Sequence, residues 1–162
     1  DWFLERKVTY EPKIVGDQFT AKLTIRLKNN APASGEPPYV IGYRSSLKES
    51  GHNRTFLSVY SPWNLTSAAV DNASAALLSD IELGVNAYST EIDLPPGGEA
   101  TVTMTLGGKW TGSPNSYLLT YRPQSLVKGD SLRVIPAQGT IRELETRPTG
   151  TSSSLRWYGF TS

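Results

Sequence analysis

Apolar and polar residues alternate along short segments of this chain, and each segment ends at a turn rich in Pro, Gly, Asn or Asp. In the clearest case, Ile92 and Leu94 alternate with polar residues before the turn at residues 95–98. Apolar residues then recur at every second position after the turn, at Val102, Met104 and Leu106. An apolar spacing of two on both sides of a Pro/Gly turn predicts a half-buried β-hairpin.

A second hairpin is predicted near the start of the chain. Val8 and Tyr10 begin a strand that extends to about Val15, and Gly16-Asp17 forms the turn. The return strand alternates from Phe19 to Leu27. Residues 29–38 combine two Asn, three Pro and a Gly with few apolar residues, which predicts a loop.

The rest of the chain continues this alternation of strands and turns. Residues 39–51 and 73–77 are ambiguous and are compatible with short helical turns, whereas 78–83 has a strand-like pattern. Further strands are predicted at residues 55–60, 65–70, 117–121, 132–134, 141–145 and 155–160. About eight to ten strands, with a turn roughly every ten residues, predict an all-β fold: an antiparallel β-sandwich with immunoglobulin-like or fibronectin-III-like architecture.

Length and composition favour one domain that spans residues 1–162. The chain contains no cysteine, which excludes disulfides, thiolate zinc sites and a cysteine nucleophile. Its one methionine is Met104, so the chain is expected to be a fragment or processed part of a longer protein. It has no apolar stretch long enough for a membrane helix, and we expect no membrane insertion by this segment.

The formal net charge is +1, which argues against a nucleic-acid-binding protein with a large positive field. The charges are unevenly distributed, because no Lys or Arg occurs between Arg54 and Lys109. One interpretation is that acidic middle strands lie beside basic outer strands and are neutralised by them. The other is an acidic surface that holds a cation or a basic partner. The acidic residues of this segment are Asp71, Asp80, Glu82, Glu91, Asp93 and Glu99.

Catalytic candidates are few. A Ser–His–Asp triad would need the single histidine, His52, which lies in a turn-like segment that favours a solvated loop histidine. One histidine and no cysteine also disfavour zinc, and no EF-hand loop is present for calcium. A glycoside hydrolase needs two carboxyl groups about 5–9 Å apart in a cleft. The candidate carboxylates, Asp71, Asp80, Glu82, Glu91 and Asp93, alternate mostly with core positions, as on a solvated strand face.

Tryptophans are the strongest ligand-binding candidates. Trp63 and Trp110 lie at turns, where aromatic side chains either stack on sugar rings or close the end of a sandwich. Both alternatives stay open for this pair, whereas Trp157 is expected in the core. Three N-x-[ST] sequons, at Asn53, Asn64 and Asn72, are informative only if the source glycosylates secreted proteins.

Several motifs follow one another along the chain: FLSVYSP at 56–62, ELG at 82–84, LPPGGE at 94–99, a strand pair within 117–134, and WYGFT at 157–161. In this order they resemble a family of uncharacterised, membrane-anchored envelope proteins of Gram-positive bacteria, mainly actinobacteria (domain-of-unknown-function family 4012). The resemblance is to the C-terminal extracytoplasmic part of that family and spans residues 6–162. The chain departs from the family pattern at Gln124, where residues 125–129 replace a compact Pro-Gly turn.

The resemblance implies a location outside the cytoplasmic membrane, a preceding membrane helix and an N-terminal region outside this sequence. It supplies no catalytic residue and no cofactor. We therefore predict a non-enzymatic structural or interaction module whose partner is that N-terminal region or another envelope protein. The alternatives are binding of cell-wall polysaccharide through Trp63 and Trp110, and a carboxylate glycoside hydrolase. Because the strand at residues 101–106 lacks Lys, Pro and charge, it is also a candidate for pairing with a second copy at an exposed edge.

Overall fold

A computed structural model describes residues 2–41, 43–44, 49–113, 117–122, 124, 130–137, 140–146 and 153–158. These residues form one short helix, α1 (Pro38–Ile41), and fourteen strands. The strands are β1 (Leu4–Val15), β2 (Gln18–Asn29), β3 (Tyr43–Arg44), β4 (Glu49–Ser50), β5 (Asn53–Ser61), β6 (Asn64–Val70), β7 (Ala73–Ser74), β8 (Leu78–Glu82), β9 (Val85–Leu94), β10 (Glu99–Lys109), β11 (Tyr117–Tyr121), β12 (Asp130–Val134), β13 (Thr140–Thr146) and β14 (Ser153–Tyr158).

Two sheets, antiparallel except for one pair of strands, enclose the main core. One has six strands in the order β12-β1-β2-β10-β6-β7, and the other has three strands in the order β5-β9-β8. Smaller sheets are formed by β11-β14-β13 and by β3-β4. Buried residues of β1, β2 and β10 belong to the same apolar cluster as Leu57, Ile92 and Leu94 of the three-stranded sheet. The prediction of an all-β antiparallel sandwich is confirmed.

The alternation in the sequence determines which strand face is buried. Along β2, buried residues from Phe19 to Asn29 alternate with exposed or half-buried ones, and β10 buries Ala100, Val102, Met104 and Leu106. Successive side chains of a strand point to opposite faces, so this period of two places all the apolar residues on the inner face. The register pairs Val102 with Ile25, so the buried residues of neighbouring strands are adjacent.

Both predicted hairpins are present. Residues 16–17 connect β1 to β2, and Gly16 has a φ of 60°, as the first central residue of a type II′ turn requires. Residues 95–98 connect β9 to β10, as the Pro/Gly pattern predicted. One pairing was not predictable from local sequence: β12 lies parallel to β1, with Val8 opposite Leu132.

The helical turn that we considered at residues 73–77 is wrong, because the chain there forms β7 and leads into β8. Asp71 and Asn72 have φ values of 49° and 68° and make a two-residue turn between β6 and β7. Asp and Asn tolerate the left-handed region needed by type I′ turns, so this hairpin has a sequence signal in Asp71-Asn72. A helical turn does occur earlier, as α1.

The prediction that the strand at residues 101–106 lies at a sheet edge is also wrong. This segment belongs to β10, which pairs with β2 on one side and β6 on the other. Lys, Pro and charged residues protect an exposed edge strand. They are not required in this segment, because a neighbouring strand forms backbone hydrogen bonds with it on each side.

A buried asparagine joins three segments at one end of the sandwich. The Asn29 side-chain nitrogen donates to the carbonyl oxygens of Gly51 at 2.7 Å, Leu94 at 3.0 Å and Pro95 at 3.2 Å. Its side-chain oxygen accepts from the Ala31 N–H at 3.0 Å. Asn29 was predicted to begin a loop; instead it is the last residue of β2 and ties both sheets together.

Candidate functional site

Four aromatic rings cluster at the opposite end of the sandwich, and they include both tryptophans predicted as a ligand platform. The Phe19 ring stacks on Trp63 at a centroid distance of 4.0 Å and on Tyr117 at 5.2 Å. Trp63 and Trp110 lie 6.1 Å apart with their planes tilted by 34°. We call Phe19, Trp63, Trp110 and Tyr117 the aromatic end. Phe19 and Tyr117 are buried, whereas the two tryptophans are half-buried.

Strand β9 fixes the backbone at Trp63, where the chain passes from β5 in one sheet to β6 in the other. The Tyr88 hydroxyl donates to the Trp63 carbonyl at 3.0 Å and accepts from the Leu65 N–H at 2.9 Å. The Asn86 amide donates to the same carbonyl at 3.2 Å. The Trp63 N–H in turn donates to the Ser61 hydroxyl at 3.1 Å. This crossover is held by side chains that the sequence did not single out.

Two glycines leave room for the indole rings of Trp63 and Trp110, because a side chain at either position would contact a ring. A Cβ at Gly108 would lie 3.1 Å from the Trp63 ring, and one at Gly112 would lie 2.5 Å from the Trp110 ring. The Trp110 indole N–H donates to the Ser113 carbonyl at 3.2 Å. Trp63 is therefore enclosed by Phe19 and Gly108, and the tilt of Trp110 prevents the two rings from forming a flat surface. The geometry favours the interpretation that these tryptophans close the sandwich end.

The aromatic end also contains a buried pair of phenols. The Tyr10 and Tyr117 hydroxyl oxygens lie 2.8 Å apart, and one donates to the other. Burial raises the pKa of both phenols above the ordinary value, because the negative phenolate would lose its hydration. The pKa of Tyr10 is raised further by its proximity to Tyr117.

We expect these two phenols to ionise late in an alkaline titration of the folded protein. A folded-state pKa above the unfolded value stabilises the fold below about pH 10, and that stability is lost as the pH rises further. Phenolate absorbance should therefore show a delayed fraction among the eight tyrosines, and alkaline unfolding should release it. In denaturant, the hydroxyls of all eight tyrosines should ionise over the same pH range. A Tyr10→Phe variant should lower the delayed fraction by about one tyrosine, and an unchanged fraction would contradict this assignment.

The acidic residues proposed for catalysis are exposed, including Glu91 on β9, and three of them have a hydrogen-bond partner close by. Asp71 accepts from the Thr101 N–H at 2.7 Å, Asp80 from the Ile81 N–H at 2.7 Å, and Glu82 from the Tyr60 hydroxyl at 2.8 Å. Within the described ranges, no group of three or more His, Cys, Asp or Glu side chains could hold a metal ion. The predicted neutralisation by basic strands occurs in part, since Glu99 pairs with Lys28 at 2.8 Å.

Asp93 is the acidic residue that binds two partners. It accepts from the Arg54 guanidinium at 3.0 Å and lies 3.1 Å from a ring nitrogen of His52. The His52 hydrogen bond, followed by that of Arg54, lowers the pKa of Asp93. Ser58 lies four residues beyond Arg54 on the same strand and the same sheet face, so the Cα atoms of these two residues are about 13 Å apart. It is therefore too far from His52 to form a catalytic triad.

The outer face of the three-stranded sheet carries exposed apolar side chains, a feature that the sequence alone did not reveal. Phe56 is 61% exposed and Tyr60 is 54% exposed, both on β5. All five residues of β8 are exposed. Leu78, which is 68% exposed, shares the outer face, whereas Ile81, which is 72% exposed, lies on the opposite face of the same strand. Period-two alternation does not distinguish a buried strand face from an exposed one, so burial here depended on the neighbouring layer.

The hairpin between β8 and β9 ends at an unusual residue. Leu83 is fully exposed and has a φ of 51°, and Gly84 follows with a φ of 80°. Both central residues of a type I′ turn need positive φ, which Asn, Asp and Gly tolerate better than Leu. A leucine here carries backbone strain and exposes its whole side chain to water. We call residues 78–85 the apolar hairpin.

The remaining candidates occupy varied positions. Asn64 and Asn72 of the sequons are exposed, and Asn53 is half-buried in β5. Trp2 is exposed, whereas the Trp157 side chain and the turn at 125–129 lie outside the described residues. No helix of the described ranges has the length and apolar character that crossing a bilayer requires.

No family model matches the chain, and no curated protein matches it. Among solved structures, it is similar to an M1 zinc metallopeptidase from Deinococcus radiodurans, with a TM-score of 0.41 and 12% identity, covering 99% of this chain and 40% of that chain. It is also similar to Legionella pneumophila aminopeptidase A in complex with aspartic acid, with a TM-score of 0.44 and 12% identity, covering 98% of this chain and 20% of that chain. This chain therefore spans less than half the length of these proteins. Likeness at this level carries no argument about activity.

Proposed function

We propose that this chain is a non-catalytic interaction module of a bacterial envelope protein and that it binds a protein partner through the three-stranded sheet. The observation that carries the proposal is the apolar hairpin. Its strand β8 is exposed along its whole length, and Leu83 at its tip is exposed despite a strained backbone. A group of exposed large apolar side chains on one hairpin is typical of an interaction site.

Concentration of apolar residues on this one sheet supports a protein partner. The sheet includes half of the large exposed apolar side chains found in the described residues: Phe56, Tyr60, Leu78, Ile81 and Leu83. Asp80 and Glu82 share the outer face of β8 with Leu78, so this surface combines exposed apolar side chains with acidic ones. The proposed partner is the N-terminal region of the same protein or another envelope protein. The location outside the cytoplasmic membrane rests on the resemblance to the envelope family.

The absence of catalysis is part of the proposal and rests on the placement of the candidates. His52 pairs with Asp93, and Ser58 lies too far along β5 to complete a triad with them. The other four candidate acids are exposed, and three of them have local hydrogen-bond partners. Carbohydrate binding by Trp63 and Trp110 stays a prediction, which the enclosed and tilted rings do not favour.

Site-specific photocrosslinking tests the interaction role. A benzophenone amino acid replaces Leu83 in the full-length natural protein, which is expressed in its own host and irradiated in intact cells. We expect a crosslink to a single protein region, either within the same chain or in one envelope protein, identified by mass spectrometry. The exposed tip of the apolar hairpin should then be the contact.

Asn72 provides the matched control position. It is exposed and lies in the other type I′ turn, between β6 and β7 on the six-stranded sheet. Benzophenone at Asn72 should give little or no crosslinked product. Equal yields from the two positions, or no specific product from Leu83, would contradict the proposed function.

A further inference from the structure

One edge of the three-stranded sheet offers a long row of backbone groups. β5 pairs with β9 on one side, and among the described residues no strand pairs with its other side. It is nine residues long and contains neither Pro nor Lys. Its one charged residue, Arg54, is paired with Asp93. Natural edge strands are usually shortened or protected by charge, Pro or bulges, so an unprotected edge marks a pairing site.

The β8–β9 hairpin determines which backbone groups of β5 face this edge. In a two-residue hairpin the closing residues, here Glu82 and Val85, exchange both backbone hydrogen bonds. Hydrogen-bonded pairs then alternate along the ladder, so Val85, Ala87 and Ser89 bond towards β8. The intervening residues of β9 bond towards β5.

The same alternation continues into β5. Tyr88 pairs with Val59, and Thr90 with Leu57, so the odd-numbered residues of β5 bond to β9. The N–H and C=O groups of the even-numbered residues therefore point to the free edge. Those residues are Arg54, Phe56, Ser58 and Tyr60, whose side chains lie on the outer sheet face.

We propose that β5 pairs with β5 of a second copy of this chain, antiparallel and related by a two-fold axis at Ser58. This inference deepens the proposed function, on which it rests for the three-stranded sheet as the binding surface. The two sheets would join into one six-stranded sheet, in the order β8-β9-β5 followed by the partner's β5-β9-β8.

The register at Ser58 is self-complementary. It places Phe56 opposite Tyr60 of the second copy, twice by symmetry, and Ser58 opposite its own counterpart. All three are hydrogen-bonded pairs, because these residues direct their backbone groups to the free edge. Aromatic cross-strand pairs contribute about 0.2–1 kcal/mol each relative to alanine pairs. The aromatic side chains would thereby be shielded from the water that they contact in the single chain.

The other long edge of this sheet does not suit self-pairing. β8 contains Asp80 and Glu82, so two antiparallel copies would place like charges opposite or beside each other. The far edge of the six-stranded sheet is the two-residue β7, which is too short for a stable ladder. Among these edges, β5 is the one with length, neutral charge and apolar side chains.

The contact is small, which determines how it should be observed. Four aromatic side chains, each more than half exposed in the single chain, would bring roughly 400–500 Å² to the interface. Stable complexes bury about 1,200–2,000 Å². We therefore expect a reversible dimer whose population rises with concentration. Sedimentation velocity of the unmodified chain over a concentration series measures this directly.

Disulfide trapping tests the register. The chain contains no cysteine, so a Ser58→Cys variant has a single thiol. The Cα atoms of a hydrogen-bonded antiparallel pair lie about 5.5 Å apart, within the range of about 4.4–6.8 Å that a disulfide requires. With oxidised glutathione as oxidant, we expect a covalent dimer on a non-reducing gel.

Ser89→Cys is the control, since Ser89 lies beside Ser58 on the same sheet face and their hydroxyls share a hydrogen bond of 2.8 Å. Both variants therefore lose the same bond. Two copies of residue 89 would be three strand spacings apart, about 14 Å, so this variant should stay monomeric under oxidation. In addition, Phe56→Lys should abolish the dimer of the otherwise unmodified chain, because it adds a charge to the edge.

The outcomes separate this inference from the proposed function. Equal trapping of the two cysteine variants, or a chain that sediments as a monomer at every concentration, would overturn pairing through β5. If Leu83 still crosslinks to another protein in that case, the interaction role stands. If Ser58→Cys is trapped selectively but Leu83 gives no crosslink, β5 pairing stands and the role of the apolar hairpin is wrong.

Discussion

Replacing Asn29 with alanine is expected to lower the free energy of unfolding by about 3–4 kcal/mol. The variant removes the amide donor from the carbonyls of Gly51 and Leu94 and the acceptor from the Ala31 N–H, whereas the Pro95 carbonyl keeps a backbone hydrogen bond. A buried polar group without a partner costs about 1–3 kcal/mol, and partial access of water offsets some of the sum. Urea unfolding followed by circular dichroism measures the change.

An aspartate at position 29 should be affected by pH in a defined direction. Its carboxylate would face three carbonyl oxygens, so the folded state favours the protonated form and raises the pKa of the new carboxyl. Such a raised pKa makes the Asn29→Asp variant lose stability relative to the parent as pH rises above about 4. The unfolding free energy of this variant should therefore fall further below that of the parent at pH 7 than at pH 4.

Asn72→Asp is the control, because this asparagine is exposed in a turn that also accepts aspartate. Its unfolding free energy should change little between the two pH values. A similar loss of stability for Asn29→Asp and Asn72→Asp at pH 7 would contradict the role assigned to the buried amide.

Replacing Phe19 with alanine is the second change with a large expected effect, about 3–5 kcal/mol of unfolding free energy. Phe19 is 1% exposed, and its ring stacks on both Trp63 and Tyr117. The variant loses the apolar burial of the ring and leaves a cavity that the fixed crossover at Trp63 cannot fill by collapse. Near-ultraviolet circular dichroism should weaken as well, because the tryptophans lose their rigid partner.

Phe56→Ala provides the comparison, since it deletes the same side chain from an exposed position on β5. In dilute protein, where the chain is monomeric, it should change the unfolding free energy by less than about 1 kcal/mol. Equal effects of the two substitutions would show that the aromatic end does not contribute to the core as the structure indicates.

The sequence predicted the parts of the fold that depend on neighbouring residues. Alternation in β2 and β10 predicted which side chains are buried, and Gly16-Asp17 and residues 95–98 predicted two hairpins. The Asp71-Asn72 turn has a comparable local signal, which favours a hairpin over a helical turn at residues 73–77. These features could be predicted because turn geometry and face alternation are set by backbone dihedral angles over a few residues.

The sequence predicted which residues are candidates for the site, but it did not predict how their side chains are arranged. Trp63 and Trp110 were chosen because they are aromatic residues at turns, but their tilt and their contact with Phe19 depend on three separate strands. The Asn29 side chain gave no signal, because the three carbonyls to which its nitrogen donates lie 22 to 66 residues away along the chain. The apolar hairpin was also missed, since a strand pattern contains no information about whether another layer covers it.

The sequence by itself determined an all-β sandwich, the hairpins that build it and the faces that enter its core, because period-two alternation and turn chemistry act locally. Strand order was decided only by the tertiary structure. Pairing between distant segments placed β10 inside a sheet, β12 parallel to β1, and β5 and β8 at edges. That order depends on how the two layers jointly bury their apolar faces, and it determines which apolar residues remain exposed for a partner.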